Sequence, residues 1–96
     1  MKLLFISYNA AIETEIMECA TKCGINTFTK IVRMHGAGTH SDPHLDNAIW
    51  PGFNNGLIIA VDEVKKDEIM AKIKIFKEQN LKEGVKVFVL PVEEIL

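Results

Sequence analysis

The chain has 96 residues, 48% of them hydrophobic and 25% charged, with a formal net charge of −2. That length accommodates one hydrophobic core and one domain, and the balance is that of a globular protein, excluding a disordered or fibrous one. Lys and Arg alternate with Glu and Asp, so no basic stripe gathers phosphates and nucleic acid is not an expected partner.

The apolar run at residues 1–6 breaks into Ser7-Tyr8-Asn9, too short for a signal segment or a membrane span. It predicts a buried strand over 2–8 with Asn9 as the following helix N-cap, no direct membrane insertion, and a cytoplasmic setting. A first helix begins near Ala10, with Ile12, Ile16, Cys19, Ala20 and Cys23 on one stripe and Glu13, Glu15, Glu18 and Lys22 on other faces. Cys19 and Cys23, four apart on that apolar stripe, cannot form a normal bridge within a straight helix and read as core thiols in a reducing compartment. Gly24 suits the helix C′ position.

Residues 27–35, rich in Thr, Ile, Val and Phe, predict a second strand. Residues 36–55 (GAGTHSDPHLDNAIWPGFNN) have neither helical nor strand period and predict one long loop. A third strand follows over 56–62, then an amphipathic helix over 65–79 carrying Ile69, Met70, Ile73 and Phe76, a break at Gly84, and a fourth strand over 85–90 stopped by Pro91. Strand-helix-strand, twice, in one small domain predicts the ferredoxin-like α+β order β-α-β-β-α-β, a four-stranded antiparallel sheet with both helices on one face. The two helices leave the other face bare, yet Leu57, Ile59 and Val61 alternate with Ile58 and Ala60, and Val85, Val87 and Val89 with Phe88 and Leu90, all of them apolar. That face needs an apolar cover, either another copy of the chain or its own tail and long loop.

Cys23-Gly24-Ile25, then Phe28-Thr29, Val32 and Gly36-Ala37-Gly38, together with Lys86-Val87-Phe88-Val89 running into Pro91-Val92-Glu93-Glu94, resemble the PII and PII-like nitrogen-regulatory proteins over essentially the whole chain. The resemblance implies a homotrimer with sheets facing a central axis, a signalling T-loop, and a nucleotide cleft in which the backbone at Gly36 and Gly38 and the side chain of Lys86 meet phosphates. The sequence departs from the family in lacking its Thr-Gly-Lys segment before the last strand and its basic tail. Arg33 and Lys86 are then the cations expected near the cleft, too few for a triphosphate, which counts against ATP.

His35, His40, Asp42, His44 and Asp46 cluster along the loop and are candidate ligands of zinc or a similar divalent ion, the other reading being a solvated loop of turn formers. Trp50 and Phe53 bracket Pro51-Gly52 and are candidates either for contact with a partner or for packing the loop base. No nucleophile elbow, metalloprotease helix or serine beside a histidine is legible, so a catalytic role is not expected. The sequence therefore points to a PII-like trimeric regulator that senses a small ligand or metal ion through its loop and contacts a partner such as a membrane transporter. A CutA-type metal-binding trimer is the alternative, and an enzyme built at a subunit interface is third.

Overall fold

A computed structural model describes residues 1–39, 42–49, 51–80 and 83–96. The elements follow the predicted order: strand β1 (Lys2–Asn9), a single 3₁₀ turn (Ala10–Ile12), helix α1 (Glu13–Lys22), β2 (Thr29–Met34), β3 (Asn54–Val61), α2 (Glu63–Gln79) and β4 (Val85–Pro91). The sheet is antiparallel in the order β2-β3-β1-β4, so β2 and β4 are both edge strands. This is the ferredoxin-like arrangement.

Local chemistry explains the boundaries. Asn9 is extended and its side-chain oxygen accepts from the Ala11 amide at 3.0 Å, so it caps the 3₁₀ turn and the α-helix begins one turn later than expected. At the other end of α1, the Ile25 amide donates to Ala20 and the Gly24 amide to Thr21, the paired bonds of a Schellman ending. Gly24 takes the φ of 74° that this ending requires and that a side chain would resist. Lys65 of α2 donates to the Cys23 carbonyl at 2.6 Å, tying the two helices where α1 stops. Helix α2 starts at Glu63 because Asp62 caps the Lys65 amide at 2.8 Å, two residues earlier than the apolar period suggests.

Leu4, Ile6, Tyr8, Leu57, Ile59 and Val85 turn one sheet face toward Ile12, Ile16, Ala20, Ile69 and Ile73 of the helical layer, and this is the core. Cys23 is buried in it and Cys19 packs against it. Desolvation, with the neighbouring Cys23 second, pushes the Cys19 thiol above its usual range, as suits a core thiol.

The opposite face is apolar, half-buried at Phe5 and Ile58 and exposed along β4. Register places Phe5 between Ile58 and Phe88, and Leu3 between Ala60 and Leu90; the Phe5 and Phe88 rings meet edge to face at 6.1 Å. Phe88 remains 53% exposed and Leu90 46%, so among the described residues neither the tail nor the loop folds over them. Of the two covers considered from the sequence, the intramolecular one does not reach Phe88 and Leu90 among the described residues.

Candidate functional site

The segment between β2 and β3 is shorter than the sequence suggests, because β3 begins at Asn54 and not at Gly56. Asn54 and Asn55 read as turn formers, yet they pair with Asn9 and Tyr8 of β1. Within the segment, Gly36 and His44 exchange two backbone hydrogen bonds, of 2.8 and 2.6 Å, and the Asp46 amide donates to the Gly52 carbonyl at 2.8 Å. The connection is thus pinched into a first lobe over 36–44 and a second over 46–52.

The point of departure from β2 is fixed by a polar knot. Asn55, only 6% exposed, accepts from the Arg33 amide at 3.1 Å through its oxygen and donates to Glu13 Oε1 at 2.8 Å through its nitrogen. The same Glu13 oxygen accepts from the Tyr8 hydroxyl at 2.9 Å and from Lys30 Nζ at 3.3 Å. Burial alone would raise the Glu13 carboxyl, but the bonds from Tyr8, Asn55 and Lys30 and the Lys30 charge outweigh it and hold the group below the usual glutamate range. Burial first, and Glu13 second, push the Tyr8 phenol upward. Held by Asn55, Arg33 takes a left-handed φ of 56° where the β2–β3 register shifts.

That twist redirects Arg33. Its guanidinium lies 4.4 Å over the Phe53 ring and 3.3 Å from Asp46, so it clamps the second lobe; it does not line the cleft for which it was nominated. Phe53, half-buried, thus packs under Arg33 at the loop base, and its carbonyl also accepts from the Ala10 amide at 3.0 Å. Trp50 and His40 lie outside the described residues.

The remaining metal candidates diverge. His44 Nε2 faces Asn9 Nδ2 at 3.1 Å, Asp46 is paired with Arg33, and His35 and Asp42 are exposed. Among the described residues no three metal-ligating side chains gather. The alternation of His and Asp along the sequence does not bring these groups together, because the Gly36–His44 pairing turns the chain back on itself.

The nucleotide candidates converge. Gly36, Gly38 and Lys86, from segments nearly fifty residues apart, line one groove of about 1070 Å³ running between the first lobe, β4 and α2. Its body is apolar, from Met70, Ile73, Val87 and Phe88, and its polar rim includes Lys74 and Lys77 of α2, with Glu78 and Glu83 as opposing charges. The two α2 lysines were missed in the sequence, where they look like a solvated helix face. Their spacing from Met70, at four and seven residues, with Ile73 at three, is the signal that places all four on one side of the helix.

Gly36 sits where a β-carbon would run into the Asn54 side-chain amide, so the first lobe reaches its pairing with His44 only because that position lacks a side chain. Gly36→Ala is expected to release this pairing. Amide exchange at His44 should accelerate by at least about tenfold while β1 and β3 amides keep their protection. Unchanged protection at His44 would mean that Asn54 yields instead.

No family model matches the sequence, and no curated protein matches it. Solved structures do match in fold. CPII, a nitrogen regulatory PII-like protein from Thiomonas intermedia K12 described in complex with ADP, AMP and bicarbonate, superposes with a TM-score of 0.73 at 19% identity, over 97% of this chain and 88% of that one. The apo form of CPII gives 0.66 at 18% identity, over 95% and 89% of the two chains. A protein from Thermus thermophilus, named as PII-like signaling, gives 0.65 at 21% identity over 93% and 83%. The likeness is one of overall architecture, and the chain has the PII-like fold.

Proposed function

We propose that this protein is a PII-like regulator whose groove holds an adenine nucleotide of short phosphate chain and whose β2–β3 connection reports occupancy to a protein partner such as a membrane transporter. The observation that carries the reading is the convergence of Gly36, Gly38 and Lys86 on one groove of about 1070 Å³, ample for a nucleotide. Exposed backbone at a glycine-rich turn approaches phosphates closely, and a lysine supplies a point charge beside it. The groove carries Lys74, Lys77 and Lys86 against Glu78 and Glu83, a balance that suits ADP or AMP better than a triphosphate. CPII, of the same fold, is described bound to ADP and AMP, which supports the same class of ligand here.

Occupancy reaches the loop directly, since the first lobe is one wall of the groove. A ligand held by Gly36 and Gly38 favours whichever arrangement of that lobe makes the contacts, and a partner that touches the loop reads the difference. The bare sheet face supports assembly with further copies, a trimer being the family's arrangement. Titration calorimetry with ADP is the test. Binding in the micromolar range, weakened about tenfold or more by Lys86→Gln, is expected, together with slower amide exchange over 36–39. Absence of heat with both ADP and AMP at millimolar concentration would remove the nucleotide reading.

A further inference from the structure

Helix α2 forms one wall of the groove, and the charges it places there differ from those elsewhere on the same helix. In its first turns the lysines are neutralised in place: Lys65 pairs with Glu68 at 3.3 Å, and Lys66 with Glu63 at 2.9 Å and with Asp67 at 2.6 Å. Further along, Lys74 and Glu78 stand at the spacing that favours an ion pair on a solvated helix and both line the groove. Among the described residues, however, the ion pairs are those of Lys30, Arg33, Lys65 and Lys66, and Lys74, Lys77 and Lys86 make none. Ile73, 2% exposed, anchors this stretch of α2 in the core, so Lys74 beside it and Lys77 four residues on are fixed in direction at their α-carbons while their ammonium groups stay free to reach. Arg33, which the sequence offered as the second cation, is held away by Asp46 and Phe53.

We infer that Lys74 and Lys77 bind the phosphate furthest from Gly36 and Gly38, so that α2 makes the groove a reader of phosphate-chain length, favouring ADP over AMP. This rests on the nucleotide reading above. The glycine backbone and Lys86 serve the phosphate that both ligands share, and the α2 lysines meet the one that only ADP carries. Cations on two walls, Lys86 on β4 and Lys74 and Lys77 on α2, then share the phosphate chain.

The test is titration calorimetry of ADP and AMP against the wild type, the double variant Lys74→Gln/Lys77→Gln, and Lys72→Gln as a control on another side of the same helix, with melting temperatures measured alongside. ADP affinity should fall about tenfold or more in the double variant and AMP affinity by less than about twofold, with the control unchanged for both. The ADP loss should also shrink as salt rises. Equal losses for ADP and AMP, or none, in a wild type that binds both would overturn the assignment while leaving the nucleotide reading in place. A lowered melting temperature with an unaltered ADP-to-AMP ratio would assign Lys77 to the helix C-terminus instead, where a cation complements the dipole, and would also overturn it. Failure of the wild type to bind either nucleotide would end both readings together.

Discussion

Aspartate at Ile59 should unfold the protein, whereas aspartate at Ile58, one residue away, should leave the fold intact and dissolve the assembly proposed above. Ile59 is 1% exposed and faces the helices, so a carboxylate there has no partner and must be buried charged or neutralised at a cost. The expected loss exceeds about 4 kcal/mol, a large share of the roughly 5–14 kcal/mol typical of a domain this size. Ile58 points the other way, opposite Phe5 and above the bare face. Ile58 is half-buried in the isolated chain, so a carboxylate there can still reach water, and it is stranded when another copy covers it. Circular dichroism and sedimentation equilibrium on the two variants separate the cases: Ile58→Asp should keep native ellipticity at the monomer mass, and Ile59→Asp should lose both. A wild type that sediments as a monomer, or an Ile58→Asp protein at wild-type mass, would show that association does not use this face.

Removing the Glu13 carboxylate should be the most damaging change to the polar groups. Glu13→Ala leaves the Tyr8 hydroxyl, on a residue with no exposed surface, and the Asn55 amide without their acceptor, and frees Lys30. A loss of roughly 2–4 kcal/mol is expected, read as a lowered denaturation midpoint, with Glu13→Gln near 1 kcal/mol because it retains an acceptor. The pH dependence follows from the direction of the shift. The folded carboxyl is held below its unfolded value, so the charged form contributes stability in full above about pH 5, and this is lost as pH falls through the folded value. The gap between wild type and Glu13→Gln should therefore be constant near neutrality and close in acid. A gap that widened in acid would place the stabilising proton on Glu13 and contradict the network described.

Those two sites also mark how far the sequence could be read. The two-sided strands were legible because a strand's side chains alternate without exception, so Ile58 and Ile59 had to part whichever face was core. Asn9 and Gly24 were legible because capping depends on a few neighbouring atoms. Gly36, Gly38 and Lys86 were named by resemblance, and they line one groove. Glu13 was illegible: it looked like one more charge on a helix surface, and its partners Asn55 and Lys30 reach it only through the pairing of β1 with β3 and β3 with β2. Arg33 was misjudged for the same reason, since a left-handed residue at a register shift sends its side chain where no periodicity predicts. Lys74 and Lys77 needed the rotation of α2 about its axis, which Ile69 and Ile73 set only once the sheet is in place.

The two pinches in the β2–β3 connection divide one long excursion into two short ones whose closures are independent. Chain entropy charges little for length within a closed lobe, on the order of 0.6 kcal/mol for each doubling, but the registers on either side of a pinch are protected from it. Because Gly36 and His44 close the first lobe on themselves, and Asp46 and Gly52 the second, residues can be gained or lost in one without displacing the other. The lobe that lines the groove and the lobe that carries Ile49, 79% exposed, are in this sense separate modules, free to diverge at different rates.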